Sequence, residues 1–156
     1  MILEVKDLRV EFPTRRGTLV ALDSVSFQIA PGEVLGVVGE SGAGKSMTGL
    51  AVIGLLERPG RIAVGEVRLE GRRIDDLPHE EMRKVRGRKI GVVFQDPLTS
   101  LNPLYTIGQQ LVETITTHLP LTRNQGRERA ISLLKEVGIP GAEARLHAEL
   151  RSALGL

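Results

Sequence analysis

Eight residues that begin at Gly39 have the types and the spacing to hold the phosphates of a nucleoside triphosphate. They fit the pattern G-x-x-x-x-G-K-[ST] and are Gly39, Glu40, Ser41, Gly42, Ala43, Gly44, Lys45 and Ser46. The glycines allow a tight loop whose backbone N–H groups can approach phosphate oxygens. The lysine brings a compact positive charge to the β- and γ-phosphates, and the serine offers a hydroxyl to Mg²⁺, which prefers oxygen ligands. The alternative is a glycine-rich turn without a ligand.

The residues on either side of this loop indicate the strand and the helix that such a site requires. The run Val34-Leu35-Gly36-Val37-Val38 is apolar and β-branched, which is typical of a buried parallel strand. Residues 47–56 predict an apolar helix. Its N-terminus would face the phosphates, where the helix dipole favours anions.

The composition favours one globular domain with a core of Leu, Ile and Val. Of the 156 residues 41% are hydrophobic, and there is no cysteine, so we expect no disulfide or thiolate metal site. The net charge of only +2 gives no case for a nucleic-acid partner. The three histidines are scattered and suggest no metal site. The longest apolar stretch, near 50–56, is too short to cross a membrane, and we expect a cytoplasmic chain.

Strands are expected before the loop and again after the first helix. Apolar residues alternate with polar ones over the first thirty positions, and residues 65–72 read as a half-buried strand and turn. Asp75 or Asp76 is expected to cap a short helix at 78–86. Residues 90–94 predict a second buried strand, which would deliver Gln95 at its end.

The remainder has a helical pattern. Thr106 is expected to cap a helix that stops before Pro120, and Thr122 another that ends at Gly138. A last helical segment is expected at 142–150.

With these motifs in place, the chain resembles the ATP-binding subunits of ABC transporters, specifically the dipeptide, oligopeptide and nickel importer group. The stretches that carry the resemblance are GESGAGKS at 39–46, VFQDPLTSLNP at 93–103 and IGQQLVE at 107–113. It implies an α/β fold of the P-loop NTPase type, with an antiparallel β portion and the start of a helical subdomain. Residues 1–95 would be the nucleotide-binding portion, and residues 96–156 the Q-loop with part of the helical subdomain.

The resemblance also implies roles for single residues and for partners. Gln95 matches the glutamine that contacts Mg²⁺ or the attacking water, although it is alternatively a polar residue that ends a strand. Phe12 fits the aromatic residue that stacks on adenine, with a core residue as the alternative. Residues 97–111 correspond to the surface that docks on a membrane permease, or are an ordinary loop. ATP, Mg²⁺ and a second ATP-binding subunit are implied, at the inner face of the cell membrane.

Two family elements have no match in the sequence. Between Phe94 and Leu156 no apolar run ends in the Asp-Glu pair of the catalytic carboxylate strand, and no Leu-Ser-Gly-Gly-Gln-like signature occurs. Residues 149–156 no longer follow the family, from which we hypothesise a truncated or frameshifted product. We therefore expect a hydrolysis-incompetent, weakly stable ATP-binding component of an importer. The alternatives are a non-catalytic module that docks on a permease, or a non-functional gene product.

Overall fold

The structure is a computed structural model that describes residues 1–95 and 100–147. These residues form two compact units, the first ending at Ile90 and the second beginning at Gly91.

The first unit is built on a four-stranded antiparallel sheet. Its strands are β1 (Leu3–Thr14), β2 (Gly17–Ile29), β3 (Arg61–Leu69) and β4 (Arg72–Arg73), in the order β2-β1-β3-β4. β1 is central, so that Val5 lies opposite Phe27 on one side and Val67 on the other. The strands expected in the first thirty residues and at 65–72 are confirmed, and β3 begins four residues earlier than expected.

Helix α1 (Lys45–Val52) covers this sheet. Its buried residues Ala51 and Val52 belong to one apolar cluster with Val5, Leu8 and Val67, all five at most 8% exposed. α1 starts two residues before the expected position and ends earlier, because Gly54 takes a left-handed conformation with φ of +64°. The N–H of Leu55 then donates to the carbonyl of Leu50 at 2.9 Å, which closes the helix end.

Helix α2 (His79–Val85) follows β4, and its expected cap is wrong. Pro78 occupies the N-cap without a side-chain hydrogen bond. Asp75 instead accepts a hydrogen bond from the backbone N–H of Val67 at 2.8 Å and pairs with Arg73 at 2.8 Å. The carboxylate therefore ties the segment before α2 to β3. The sequence alone did not show that this position faces the sheet.

The two predicted buried strands, at 34–38 and 90–94, do not form. Residues 34–38 pair with none of β1–β4, and Val34 and Val38 are each 94% exposed. At 90–94, Ile90 makes only an isolated bridge to Arg86, and Val93 is 89% exposed. A strand needs a neighbour for its backbone hydrogen bonds, and none of the described strands adjoins residues 34–38.

The second unit is helical. It contains α3 (Ile107–His118), α4 (Arg123–Glu136) and α5 (Ala142–Arg145). The hydroxyl oxygens of Thr106 and Thr122 each accept a hydrogen bond from the backbone N–H three residues on. The side-chain oxygens of Gln109 and Gln125 accept one from the backbone N–H of the threonine, so both caps are confirmed as capping boxes. Ile115, Ala130 and Leu146 form the core of this unit. The expected helix at 142–150 ends at Arg145, and residues 148–150 lie outside the described part.

Candidate nucleotide-binding site

Residues 39–46, the predicted phosphate loop, join the exposed segment 34–38 to α1, and Gly44 fixes the junction with α1. Gly44 is the N-cap of α1 and has φ of +87°, a conformation that favours glycine. A Cβ built on it would lie 2.5 Å from Cδ2 of Leu22. Leu22 is 5% exposed and lies in β2, so the antiparallel sheet supports the loop from behind. No sequence pattern marks Leu22 for this role, because its alternation in β2 looks like that of any core residue.

Lys45 closes the loop over its own backbone. Its Nζ donates to the carbonyl of Gly39 at 2.7 Å and to that of Glu40 at 2.6 Å. The N–H of Ala43 also donates to the Glu40 carbonyl, at 3.2 Å. The ammonium group is therefore held at the centre of the eight-residue loop, where it can exchange these neutral acceptors for phosphate oxygens.

The start of α1 leaves backbone donors for an anion. No side chain of the described residues caps this helix, and its first turn contains no acidic residue. Ser46 is exposed in that turn, whereas Thr48 is used internally, with its Oγ1 donating to the Gly44 carbonyl at 3.0 Å. This arrangement fits a phosphate group with its Mg²⁺. It combines the free N–H groups and the dipole of α1 with the ammonium of Lys45 and the exposed hydroxyl of Ser46.

Phe12 lies in β1, and its ring already has a packing partner. The residue is half-buried and opposite Leu19 of β2. A Cβ built on Gly60 would lie 2.6 Å from Cε1 of Phe12, so the ring packs against the turn before β3. The structure thus uses Phe12 for packing, and adenine stacking by its ring stays a prediction.

Gln95 belongs to the second unit, where it is exposed in a bend that follows Val92 to Phe94. Its role as a ligand of Mg²⁺ or water stays a prediction. Residues 96–99, at the start of the expected docking surface, lie outside the described part.

The described part of that surface is a turn held by Gln110. The side-chain carbonyl of Gln110 accepts from the N–H of Asn102 at 2.8 Å, and its amide donates to the carbonyls of Asn102 at 2.9 Å and Tyr105 at 3.1 Å. The turn presents Leu104, which is 87% exposed, and Tyr105, which is 51% exposed. Two apolar side chains are thus held outward by a fixed backbone.

Among residues 1–95 and 100–147, no helix is long and apolar enough to cross a membrane. The same residues contain no cluster of three or more His, Cys, Asp or Glu side chains that could hold a metal ion.

Residues 22–154 match the ABC transporter family, which covers most of the chain and includes the phosphate loop. The chain belongs to this family. The expected α/β fold and the resemblance to ABC transporter ATP-binding subunits are thereby confirmed.

Curated relatives place the chain near peptide transport proteins. It is 43% identical over 145 residues to the dipeptide transport ATP-binding protein DppD of Haemophilus influenzae, covering 93% of this chain and 44% of that protein. It is 43% identical over 147 residues to the oligopeptide transport ATP-binding protein OppD of Bacillus subtilis, covering 94% of this chain and 41% of that protein. The chain therefore spans less than half the length of the curated relatives it matches.

Solved structures agree on the fold. The ATP-binding cassette MJ0796, in a dimeric post-hydrolysis state bound to ADP and Pi, is 27% identical with a TM-score of 0.73. That match covers 85% of this chain and 56% of the cassette. CbiO1 of Clostridium perfringens, part of the ABC transporter complex cbiONQ, gives a TM-score of 0.64 at 27% identity, covering 89% of this chain and 51% of that one.

Proposed function

We propose that this chain binds MgATP and serves as the nucleotide-binding part of an ABC-type importer subunit. The observation that carries the proposal is the loop at 39–46, which combines left-handed Gly44, an uncapped α1 and a centred Lys45 ammonium. That combination supplies backbone donors and positive charge at one place, as triphosphate binding requires.

Each residue of the loop has a distinct task in this proposal. Lys45 would leave the carbonyls of Gly39 and Glu40 for the β- and γ-phosphates, and the N–H groups at the start of α1 would donate to phosphate oxygens. Ser46 would give its hydroxyl to Mg²⁺, with Gln95 as a second oxygen ligand. The bound Mg²⁺ would neutralise phosphate charge. Phe12 is the proposed contact for adenine.

A peptide is the proposed cargo, with nickel as the other substrate of the group. The support is similarity to proteins named for dipeptide and oligopeptide transport. We place the chain at the inner face of the cell membrane, in contact with permease subunits and with a second ATP-binding subunit.

We expect binding without efficient turnover by this chain alone. The 156 residues contain neither the catalytic carboxylate strand nor the signature segment that the family uses. Phosphoryl transfer depends on positioning and charge stabilisation, so losing both elements removes most of the catalysis. A multiple-turnover ATPase rate that Lys45→Ala abolishes would contradict this expectation.

Isothermal titration with MgATP tests the binding proposal. Lys45→Ala should weaken binding by at least about tenfold, because a charge-assisted hydrogen bond contributes roughly 1.5–3 kcal/mol. Lys84→Ala is the matched control, since Lys84 is an exposed lysine of α2 outside the loop. Equal affinities of the two variants would overturn the assignment of the loop.

The exposed turn at 102–105 favours docking on a permease, which is also the alternative function as a non-catalytic module. Leu104→Ser should reduce co-purification with co-expressed permease subunits of a peptide importer, because it removes the most exposed apolar side chain of the turn. Val137→Ser is the control, since Val137 is 73% exposed at the end of α4. Loss of association on removal of ATP would favour the importer subunit, and an ATP-independent association the non-catalytic module.

A further inference from the structure

The first unit contains a cavity that the phosphate loop does not use. It has a volume of about 600 Å³ and lies between the end of α1, the start of β3 and the segment that runs from β4 through α2. That volume is within the range of roughly 300–1,000 Å³ that is usual for small-molecule sites.

One part of the cavity wall is apolar. Ile74 and Met82 belong to the main core cluster and are 3% and 4% exposed, and Ile62 and Leu77 pack against the same cluster. These side chains are held by the sheet and by α2, so the apolar wall is preformed. A ligand that covers it would gain by burying apolar surface of its own.

The charged residues of the wall leave one cation without a carboxylate. Arg73 pairs with Asp75 at 2.8 Å, and Arg61 pairs with Glu11 at 3.6 Å. The guanidinium of Arg86 has no ion pair to any described residue, and its one hydrogen bond to those residues joins Nη2 to the Gly54 carbonyl at 3.4 Å.

The Nε atom of Arg86 is also buried without a hydrogen-bond partner among the described residues. A buried donor without an acceptor is unfavourable, so an acceptor placed beside it would be stabilised. Since the one bond of the guanidinium is long, a small side-chain movement towards the cavity costs little. Nε and Nη2 form the edge of the guanidinium that can donate two parallel hydrogen bonds to the oxygens of a carboxylate.

We propose that this cavity binds a small monocarboxylate with an apolar body. Arg86 holds the carboxylate, and Ile62, Ile74, Leu77 and Met82 contact the apolar part. A single negative charge fits better than a phosphate dianion, because Arg86 is the one arginine of the wall without a carboxylate partner among the described residues, and Asp76 also lines the cavity. The site shares no residue with the phosphate loop, so its failure would leave the proposed ATP site untouched.

Hexanoate is a suitable probe, and the methyl group of Met82 is a suitable reporter. Met82 Cε lies 3.7 Å from a Cβ built on Gly54, which places the reporter at the cavity wall. The chain has three methionines, so the methyl resonances of Met1 and Met47 serve as internal references in the full chain. Titration with hexanoate should shift the Met82 methyl resonance saturably and leave the other two unchanged.

Two comparisons identify the charge contact. Hexanamide has the same shape without the charge and should bind at least about tenfold more weakly than hexanoate. Arg86→Gln should weaken hexanoate binding by a similar factor. Arg86→Lys keeps the charge but cannot form two parallel hydrogen bonds, so its affinity for hexanoate should lie between those of Arg86→Gln and the unmodified chain. Arg83→Gln is the control, because Arg83 is an exposed arginine of α2, three residues before Arg86, and it pairs with Glu80.

Equal shifts with hexanoate and hexanamide would overturn the role of charge, and this comparison needs no variant. Equal weakening by Arg83→Gln and Arg86→Gln would overturn the role of Arg86. No saturable shift at Met82 in the unmodified chain would overturn the site itself.

Discussion

Apolar β-branched residues occur both in the antiparallel sheet and at 34–38, the segment that leads into the phosphate loop. Only those of the sheet lie in strands that pair with a neighbour. In β1, Val5, Leu8 and Val10 are at most 1% exposed between two neighbouring strands. In the run at 34–38, Val34 and Val38 are each 94% exposed, although the run is richer in apolar and β-branched residues than β1. Strand-forming composition therefore gives a strand only where another strand supplies the backbone partners.

The comparison also explains how the loop is held. One end of the loop continues into α1, and Leu22 of the paired sheet lies behind Gly44. The other end continues into the unpaired run. The proposed phosphate site is thus fixed on its helix side by the core, while its strand side has no such support from β1–β4.

Truncating a core side chain of β1 should destabilise the first unit more than the other changes below. Leu8→Ala should lower the free energy of unfolding of the first unit by about 2–5 kcal/mol, because it removes a fully buried side chain from the core. Val38→Ala should change it by less than about 0.5 kcal/mol, because that side chain is exposed. Urea unfolding of both variants measures the difference, or amide exchange of β1 if unfolding is not cooperative. Similar losses would mean that the run at 34–38 is buried after all.

The junction of the two regions is the next target. Gly44→Ala should lower the free energy of unfolding by about 1–2 kcal/mol because of the left-handed backbone, and by about 1–3 kcal/mol more because of crowding against Leu22. It should also weaken MgATP binding, which calorimetry reports. Gly36→Ala is the matched control, because Gly36 lacks both a positive φ and any atom within 4 Å of a built Cβ. If Gly36→Ala were the more damaging change, the support of the loop by Leu22 would be wrong.

The Asp75 carboxylate makes the stability of the paired region depend on pH. Burial alone would raise the pKa of Asp75, but hydrogen bonds from Arg73 and from the N–H of Val67 outweigh it and hold the pKa below its ordinary value. A lowered folded-state pKa stabilises the protein above the unfolded value of about 4. That stability is lost as the pH falls through the folded-state pKa.

Thermal unfolding across this range should therefore show a smaller acid-induced loss for Asp75→Asn than for the unmodified chain. Asp76→Asn is the control, since Asp76 is 59% exposed and lies 3.8 Å from Arg73. An unchanged acid profile for Asp75→Asn would contradict the role of this carboxylate.

The smallest expected change in stability concerns the unpaired run. Replacing Val34 and Val38 together by Ser should leave the free energy of unfolding within about 0.5 kcal/mol and increase solubility, because it removes exposed apolar surface. Light scattering at increasing concentration measures the second effect. Val67→Ser, which alters a fully buried position, should instead reduce the amount of folded protein.

The sequence predicted local structure best where short-range chemistry decides it. Thr106 and Thr122 with their glutamines three residues on specify helix starts by themselves, and the glycines of the phosphate loop specify its backbone. The sequence predicted less well where a distant partner decides. The runs at 34–38 and 90–94 read as buried strands from composition, but burial depends on neighbours that composition does not reveal.

The proposed site residues follow the same division. The spacing along the chain predicts Lys45 and Ser46 as ligands of the phosphates and Mg²⁺. Leu22 supports the loop from 22 residues upstream of Gly44, and Asp75 bonds to β3 rather than capping α2. Neither contact produces a local pattern in the sequence, so both are visible only in the structure.

Amide hydrogen exchange, measured with and without MgATP, compares the paired sheet, the run at 34–38 and the proposed phosphate site in one experiment. We predict strong protection for the amides of β1 and β3, near-unprotected exchange at 34–38, and slower exchange of the amides at 39–46 when MgATP is added. Protection at 34–38 equal to that of β1 would contradict the contrast between the two regions. No effect of MgATP on the amides at 39–46 would contradict the proposed phosphate site.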